Sequence, residues 1–394
     1  MAKQLMPRAE LEARAKAILA RLVAFDSVSD RSNLPLVDFV EDYLRALGAP
    51  TRRVYNTAGD KAALWTTIGP EIDGGIVLSG HTDVVPTKGQ PWSSDPFLLR
   101  EIDGKLYARG ACDMKGFDAA VLAMVPEFQA ANLKRPIHVL LSYDEETTGR
   151  GSLDVIAALG VDLPRPALVI VGEPTMMAVA DSHKGIATFE TRVTGVEAHS
   201  AKPQLGASAI AAACEIVAEI SRLGRELEAP DRLDPRFDPP WSTFHVGVIH
   251  GGTAHNILAR ECVFQWDFRG LPNLSSSAAL ALVQAYVDEV ALPRLRRFVA
   301  EPDIQTVMEV DMPGLAAEAA SPAATLALRL SRSNRTIAVS YATEAGHFQR
   351  AGLPTVVCGP GSIDQAHKPD EFLSIDQLAQ CLAFLGRLAE DASS

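Results

Sequence analysis

The chain has no apolar run long enough and free enough of charge to cross a bilayer. Its first 25 residues, "MAKQLMPRAELEARAKAILARLVAF", carry charges throughout. A secretory signal would need an uninterrupted apolar segment, so this stretch reads as an amphipathic helix. Cysteines are few: Cys112, Cys214, Cys262, Cys358 and Cys381 are odd in number, widely scattered and without CxxC spacing. That pattern argues against a disulfide framework and against a zinc finger, and the expectation is a protein of the reducing cytoplasm. Basic residues are also short, with 37 Lys and Arg against 49 Asp and Glu, a formal charge of -12. Such a balance repels phosphate, so neither nucleic acid nor an anionic membrane is the expected partner. Neither GxGxxG nor GxxxxGK[ST] stands between a strand and a helix, which removes the usual nucleotide-binding readings. There is no internal repeat and no low-complexity tract.

What the chain does have is apolar substance, since 47% of its 394 residues are hydrophobic, enough for two cores. Two textures alternate along it. Short β-branched runs such as "GIVLSG", "IHVLLSY", "ALVIVGEP" and "PTVVCGPG" are bounded by turn residues and separated by helical stretches, the pattern of buried strands in an α/β sheet. From about Ser182 the pattern becomes strand, helix, strand, strand, helix, through "ATFETRVTG", "GASAIAAACEIVAEISRL", "STFHVGVIHG", "ECVFQWDFRG" and "SSSAALALVQAYVDEV". The expected organisation is a mixed-sheet α/β domain in two parts, residues 1–181 and 294–394, interrupted by a small α+β domain over 182–293.

Polar residues follow the strands. His81 and Asp83 come after "GIVLSG", Glu145 and Glu146 after "IHVLLSYD", and Glu173 ends "ALVIVGE"; Asp113 lies in "GACDMKG" and His367 after "PTVVCGPGSIDQ". Taken singly, each has a plain structural reading: a histidine bonded to a loop, an acidic run capping a helix, a turn with an incidental carboxylate. Together they point elsewhere, because ligands of open α/β sheets bind beyond the carboxyl ends of the strands. Two imidazoles and three carboxylates suit two divalent cations, a bridging carboxylate serving both. Such ions sit roughly 3.5 to 4 Å apart and activate water between them. Adjacent Glu145 and Glu146 can point one carboxylate at metal and leave the other as general base, and Asp83 can hold the far nitrogen of His81.

The segments "SGHTDVVP", "GACDMKG", "DEETTGRGS", "VGEPT" and "QAHKPDEF", in this order, resemble the dizinc metallopeptidase family that includes succinyl-diaminopimelate desuccinylase, aminoacylase and carboxypeptidase G2. The resemblance runs over nearly the whole chain. It implies a dizinc exopeptidase-like catalytic domain with an inserted ferredoxin-like lid that also mediates dimerisation, hence a homodimer. It implies two divalent metal ions, zinc or cobalt. His81 and Glu173 would ligate one, Glu146 and His367 the other, with Asp113 as the bridge, Glu145 as the base and Asp83 as the orienter of His81. A metal-activated water would attack the amide carbonyl, Glu145 passing its proton to the departing amine.

Within the family, "HKGIATFETRV", "GVIHGGTAHN", "TEAGHFQ" and "GPGSIDQAHKPDEF" are most similar to the branch that removes the acetyl group from N2-acetyl-L-ornithine in arginine biosynthesis. The desuccinylase activity or a broad N-acyl amino acid deacylase is the alternative, and a catalytically silent binding protein of the same fold is the non-enzymatic one. Full retention of the cage and base speaks against silence. His199 in "GVEAHSAKP" matches a lid histidine that stabilises the tetrahedral oxyanion. Asn256 and Arg269 match lid positions that grip substrate, an arginine being suited to an α-carboxylate. Glu344 is expected to meet the ornithine ammonium, and Gly361 in "GPGS" to offer a backbone N–H to the carboxylate. "TAHNILAREC" has alanine where many relatives carry proline; His183 and His347 have no assigned role; Cys112 is expected to be packing.

Overall fold

The computed structural model describes residues 7–298 and 302–394, and the chain divides into two compact units. One comprises the chain up to Ser182 with Ala317–Ile337 and Thr343–Ser394; the other comprises His183–Ala316 and Ala338–Ala342. Among the described residues, no helix is long and apolar enough to cross a membrane.

The larger unit is built on a mixed eight-stranded sheet in the order Thr51–Tyr55, Ala62–Ile68, Ile137–Ser142, Ile76–His81, Leu168–Pro174, Thr355–Gly359, Ala180–His183, Ile337–Val339. Ile76–His81 lies between two parallel neighbours, Ile137–Ser142 and Leu168–Pro174, and Thr355–Gly359 extends the parallel set. Every residue of these four strands is buried, which is why each reads as a continuous apolar run and not as an alternation. Helices Arg8–Val23, Leu34–Ala46, Lys115–Ala130, Pro322–Ser331 and Ile375–Ala392 share one apolar core with the sheet. Lys115–Ala130 is buried along almost all its length, the charged Lys115, Asp118 and Glu127 included. A separate antiparallel ribbon joins Phe372–Ser374, Lys105–Tyr107 and Arg100–Ile102.

The smaller unit is an antiparallel sheet in the order Thr243–Gly251, Glu261–Gly270, Gly185–Thr194, Asp303–Met312. Helices Ala209–Glu226 and Ser276–Tyr286 begin where Ser208 and Ser275 accept the N–H groups of Ala211 and Ala278. Their apolar residues join the inward face of the sheet, where Phe189 and Trp266 stack with ring centroids 3.9 Å apart. The two central strands alternate buried with part-exposed residues, as a one-sided sheet requires.

The inserted unit ends later than residue 293. Asp303–Met312 pairs with Gly185–Thr194 over nine positions of register, interrupted by one bulge, and completes the βαββαβ order. Its "DIQTVMEVDM" leaves Val307 and Met308 exposed, so the alternation that marks the other strands is blurred by the bulge between Met308 and Val310.

Close packing behind Glu173 makes one glycine obligatory. A Cβ on Gly172 would lie 2.1 Å from the buried ring of Phe117. Gly172→Ala is expected to destabilise the larger unit by about 1–3 kcal/mol through overpacking. Gly224→Ala, in the Ala209–Glu226 helix where a Cβ meets nothing nearer than 3.9 Å, is expected to raise stability by about 0.5–1 kcal/mol. Urea unfolding of both variants tests the pair; equal effects would contradict the packing argument.

Candidate metal centre

Strand ends deliver most of the site. His81 is the last residue of Ile76–His81 and pairs in register with Ser142, so the turn after Ser142 brings Glu145 and Glu146 alongside it. Glu173 lies near the end of the next parallel strand, Leu168–Pro174. Asp113 sits just ahead of helix Lys115–Ala130, and His367 occupies a loop with φ of 62°, left-handed and favoured by neither bulk nor branching.

Asp113 is the centre of the group. Its Oδ1 is 3.1 Å from His81 Nε2, and its Oδ2 is 3.4 Å from His367 Nε2. Glu173 Oε1 lies 3.5 Å from His81 Nε2, while Glu146 Oε2 lies 2.9 Å from His367 Nε2. Glu145 Oε2 is 4.0 Å from His81 Nε2, and its Oε1 is buried without a hydrogen-bond partner. His81, Asp113 and Glu146 form one group, and His81, Glu145 and Glu173 another, whose donor atoms all lie within 4.8 Å of one another.

His81 is fully buried, and its Nδ1 donates to the carbonyl of Asp83 at 2.9 Å. A carbonyl only accepts, so the proton sits on Nδ1 and Nε2 is directed at the carboxylates. The Asp83 carboxylate does more than face this ring at 3.5 Å. Its Oδ1 accepts the Glu145 N–H and its Oδ2 the Glu146 N–H, each at 3.2 Å, and Ser29 donates a hydroxyl to Oδ2 at 2.7 Å. The expectation that Asp83 orients His81 through its carboxylate is thus modified. The backbone carbonyl makes the closer contact, and the carboxylate fixes the turn that carries both glutamates.

Four buried carboxylates with two imidazoles and, among the described residues, no ammonium or guanidinium paired with them are poorly matched in charge. Burial first, then the charge of Asp113, pushes Glu146 up to about 7. Burial and neighbouring carboxylates hold Glu145 and Glu173 well above the usual carboxylate range. Contacts with Asp113 and Glu146 lift His367 to about 10. Burial would depress His81, but Asp113 and Asp83 reverse this and hold it well above its ordinary value. Burial would raise Asp113, but the two histidines keep its carboxyl below the usual range. Imidazole nitrogen and carboxylate oxygen, one oxygen orphaned, fit a pair of divalent cations, which would displace these protons.

Two expected contributors stand differently. Glu344 is buried, and both its oxygens are engaged: Ser79 donates to Oε1 at 2.5 Å and Ser142 to Oε2 at 2.8 Å. It ties together the strands that end in His81 and Ser142. Gly361, at φ 89°, donates its N–H to Gln377 Oε1 at 3.2 Å, so that group is not presented to a carboxylate. Cys112 is buried and its Sγ donates to the Ser362 carbonyl at 3.3 Å, with burial pushing its thiol far up. His347, buried in helix Ala345–Arg350, and His183, whose Nδ1 contacts the Lys184 carbonyl, belong to neither donor group.

The remaining candidates lie in the smaller unit. His199 bridges to Ile257, and Ser200 donates its N–H to the Asn256 carbonyl, which sets His199 and Asn256 on adjoining turns. His199 Nδ1 accepts the Ala201 N–H at 3.0 Å, so a neutral ring carries its proton on Nε2. Arg269 is the penultimate residue of the Glu261–Gly270 strand, its side chain 46% exposed and 3.8 Å from Asp267. Residues not foreseen are Ser29, Ser79, Ser142, Arg109 and Glu371; all but Ser29 lie close in sequence to a foreseen one, but only hydrogen bonds made in three dimensions single them out.

The sign of the proton linkage is set by the raised groups. Glu146 contributes stability below about pH 4.5 and loses it as pH rises through about 7, and His367 contributes below about pH 6.5 and loses it through about 10. Metal-free protein is therefore expected to fall in Tm from about pH 5 to about pH 9, while the rise in Tm on adding a divalent cation grows over the same range. Differential scanning calorimetry with and without chelator checks this; a Tm gain independent of pH would contradict it.

Residues 77–391 match the pattern of Peptidase family M20/M25/M40. The chain is 34% identical over 367 residues to an acetylornithine deacetylase of Pasteurella multocida, covering 93% of both. It is 34% identical over 383 residues to an acetylornithine deacetylase of Myxococcus xanthus, covering 94% of this chain and 96% of that protein. In fold it is similar to a tripeptidase of Staphylococcus aureus, with a TM-score of 0.74, 18% identity and coverage of 97% and 98%. It is likewise similar to a dinuclear metal binding peptidase of the M20 family from Bacillus subtilis, with a TM-score of 0.67, 15% identity and coverage of 97% and 98%. With the match running from the strand before His81 to the last helix, the chain belongs to peptidase family M20/M25/M40.

Proposed function

We propose that the protein is an acetylornithine deacetylase, a metal-dependent amidohydrolase that converts N2-acetyl-L-ornithine to L-ornithine and acetate. The observation that carries the chemistry is the Asp113 carboxylate, with one oxygen turned to His81 and the other to His367. The substrate reading is supported by relatives of that name, which align with more than nine-tenths of the chain.

His81 and Glu173 would hold one divalent cation, Glu146 and His367 the other, and Asp113 both; zinc is the metal expected, with cobalt able to replace it. When bound, such a pair polarises the amide carbonyl and makes water acidic enough to attack at neutral pH. Glu145, next to this cluster and not needed as a ligand, takes the proton of the attacking water. It delivers that proton to the nitrogen as the C–N bond breaks, so that acetate and a free amine result. Burial keeps the Glu145 carboxyl well above the usual range, which suits a group that must both accept and give a proton. Asp83 holds the Glu145 N–H and so aims this side chain.

His199 donates Nε2–H to the developing oxyanion, the Ala201 N–H on Nδ1 having set the ring for that task. Arg269 grips the substrate α-carboxylate in two hydrogen bonds and Asn256 adds an amide contact. We further place the enzyme in the cytoplasm, in arginine biosynthesis, as a homodimer paired through the smaller unit.

Metal-stripped protein assayed with zinc or cobalt restored should hydrolyse N-acetylornithine in preference to N-succinyl-diaminopimelate and N-acetylmethionine. Preference for the succinylated substrate would overturn the substrate assignment, and full activity without metal would overturn the mechanism. Glu145→Gln is expected to bind metal normally while kcat falls about a hundred- to ten-thousand-fold; loss of metal instead would make Glu145 a ligand.

A further inference from the structure

Glu371 lies four residues beyond His367, at the start of the ribbon strand Phe372–Ser374, and is 1% exposed. Its carboxylate takes four donors. Oε1 accepts the N–H groups of Cys112 at 2.7 Å and Asp113 at 3.0 Å; Oε2 accepts the Gly110 N–H at 3.0 Å and Arg109 Nη1 at 2.7 Å. Its own carbonyl accepts the Ala108 N–H at 3.1 Å. The turn that presents Asp113 is therefore wrapped around one side chain of the loop that presents His367.

A second path closes the circuit. Arg109, also 1% exposed, donates Nη2 to Gln90 Oε1 at 2.6 Å and Nη1 to the Lys368 carbonyl at 3.3 Å. Gln90 in turn donates Nε2 to the carbonyl of His367 at 2.9 Å. His367 has a half-exposed side chain and sits on a loop, so helix or strand packing does not hold its distance from Asp113. The hydrogen bonds of Glu371, Arg109 and Gln90 do.

We propose that Glu371 is a positioning residue of the metal centre: it sets Asp113 against His367 and so builds the half of the site formed by Glu146, His367 and Asp113. The inference rests on the two-cation reading above. Burying an ion pair of this kind is a poor way to gain stability, since apolar residues of similar volume do as well or better. Taking three N–H groups of one turn gives it a geometric task that an apolar side chain cannot perform. Glu371→Gln keeps the shape but places an amide NH2 where Oε2 or Oε1 now accepts, so at least one of these donors is opposed.

Calorimetric titration of metal-stripped protein with Co2+, at a temperature well below unfolding and read in parallel by the cobalt absorption spectrum, tests the proposal. Wild type is expected to take two ions. Glu371→Gln should keep one site near wild-type affinity and weaken the other about 10- to 100-fold, the range typical of groups that orient metal ligands. Arg53→Met, which breaks the Arg53–Glu41 pair elsewhere in the same unit, supplies the control for simple loss of stability. If Glu371→Gln does not fold, Gln90→Leu, which removes the tether on the His367 carbonyl and leaves the Arg109–Glu371 pair intact, should weaken the same site. Two unaltered sites in the folded variant, or equal weakening in Arg53→Met, would overturn the proposal. Wild type that binds fewer than two ions would instead overturn the two-cation reading.

Discussion

The architecture of the larger unit depends on a repulsion. The side chains of Asp113, Glu145, Glu146 and Glu173 are buried within a few ångströms of one another, and among the described residues it is His81 and His367 that stand between them to offset the charge. Such a group is costly to assemble in a low-dielectric interior unless protons or cations neutralise it. The raised carboxyls and imidazoles are the proton solution. A pair of dications is the other, and it converts the same repulsion into affinity.

Holding like charges together requires a scaffold that does not yield. The parallel strands Ile76–His81, Ile137–Ser142 and Leu168–Pro174 are buried on both faces, and their carboxyl ends project residues to one rim. Polar side chains with no chemistry of their own then set the angles. Asp83 takes both amide N–H groups of the glutamate turn; Glu344 joins Ser79 to Ser142 beneath it; Glu371 takes the turn that bears Asp113. Asp83 and Glu371 thus bind turns that regular secondary structure leaves free, and Glu344 locks the two strands beneath them.

Much of this was legible in the residues. His81, Glu145, Glu146 and Glu173 follow strands whose β-branched runs are plain, so their sharing of a rim follows from the rule for open sheets. Asp113 and His367 lie off strand ends and entered by motif. Glu344 entered through a motif that resembles a substrate-specific branch, while only the fold shows that its two oxygens are engaged by serines. The end of the inserted unit was missed for a related reason: Asp303–Met312 is an edge strand with a bulge, and edge strands carry a weaker burial pattern.

The sequence by itself determined the donor types, the buried strands and the two-unit plan, because residue chemistry and periodicity are local properties of the chain. Tertiary structure decided which oxygen of Asp113 faces which imidazole, that the Asp83 carbonyl and not its carboxylate lies closest to His81, and that Glu371 links two loops 258 residues apart. Those are contacts between segments remote in the chain. No local pattern encodes them, since their geometry exists only after the strands have paired and the loops have closed over them.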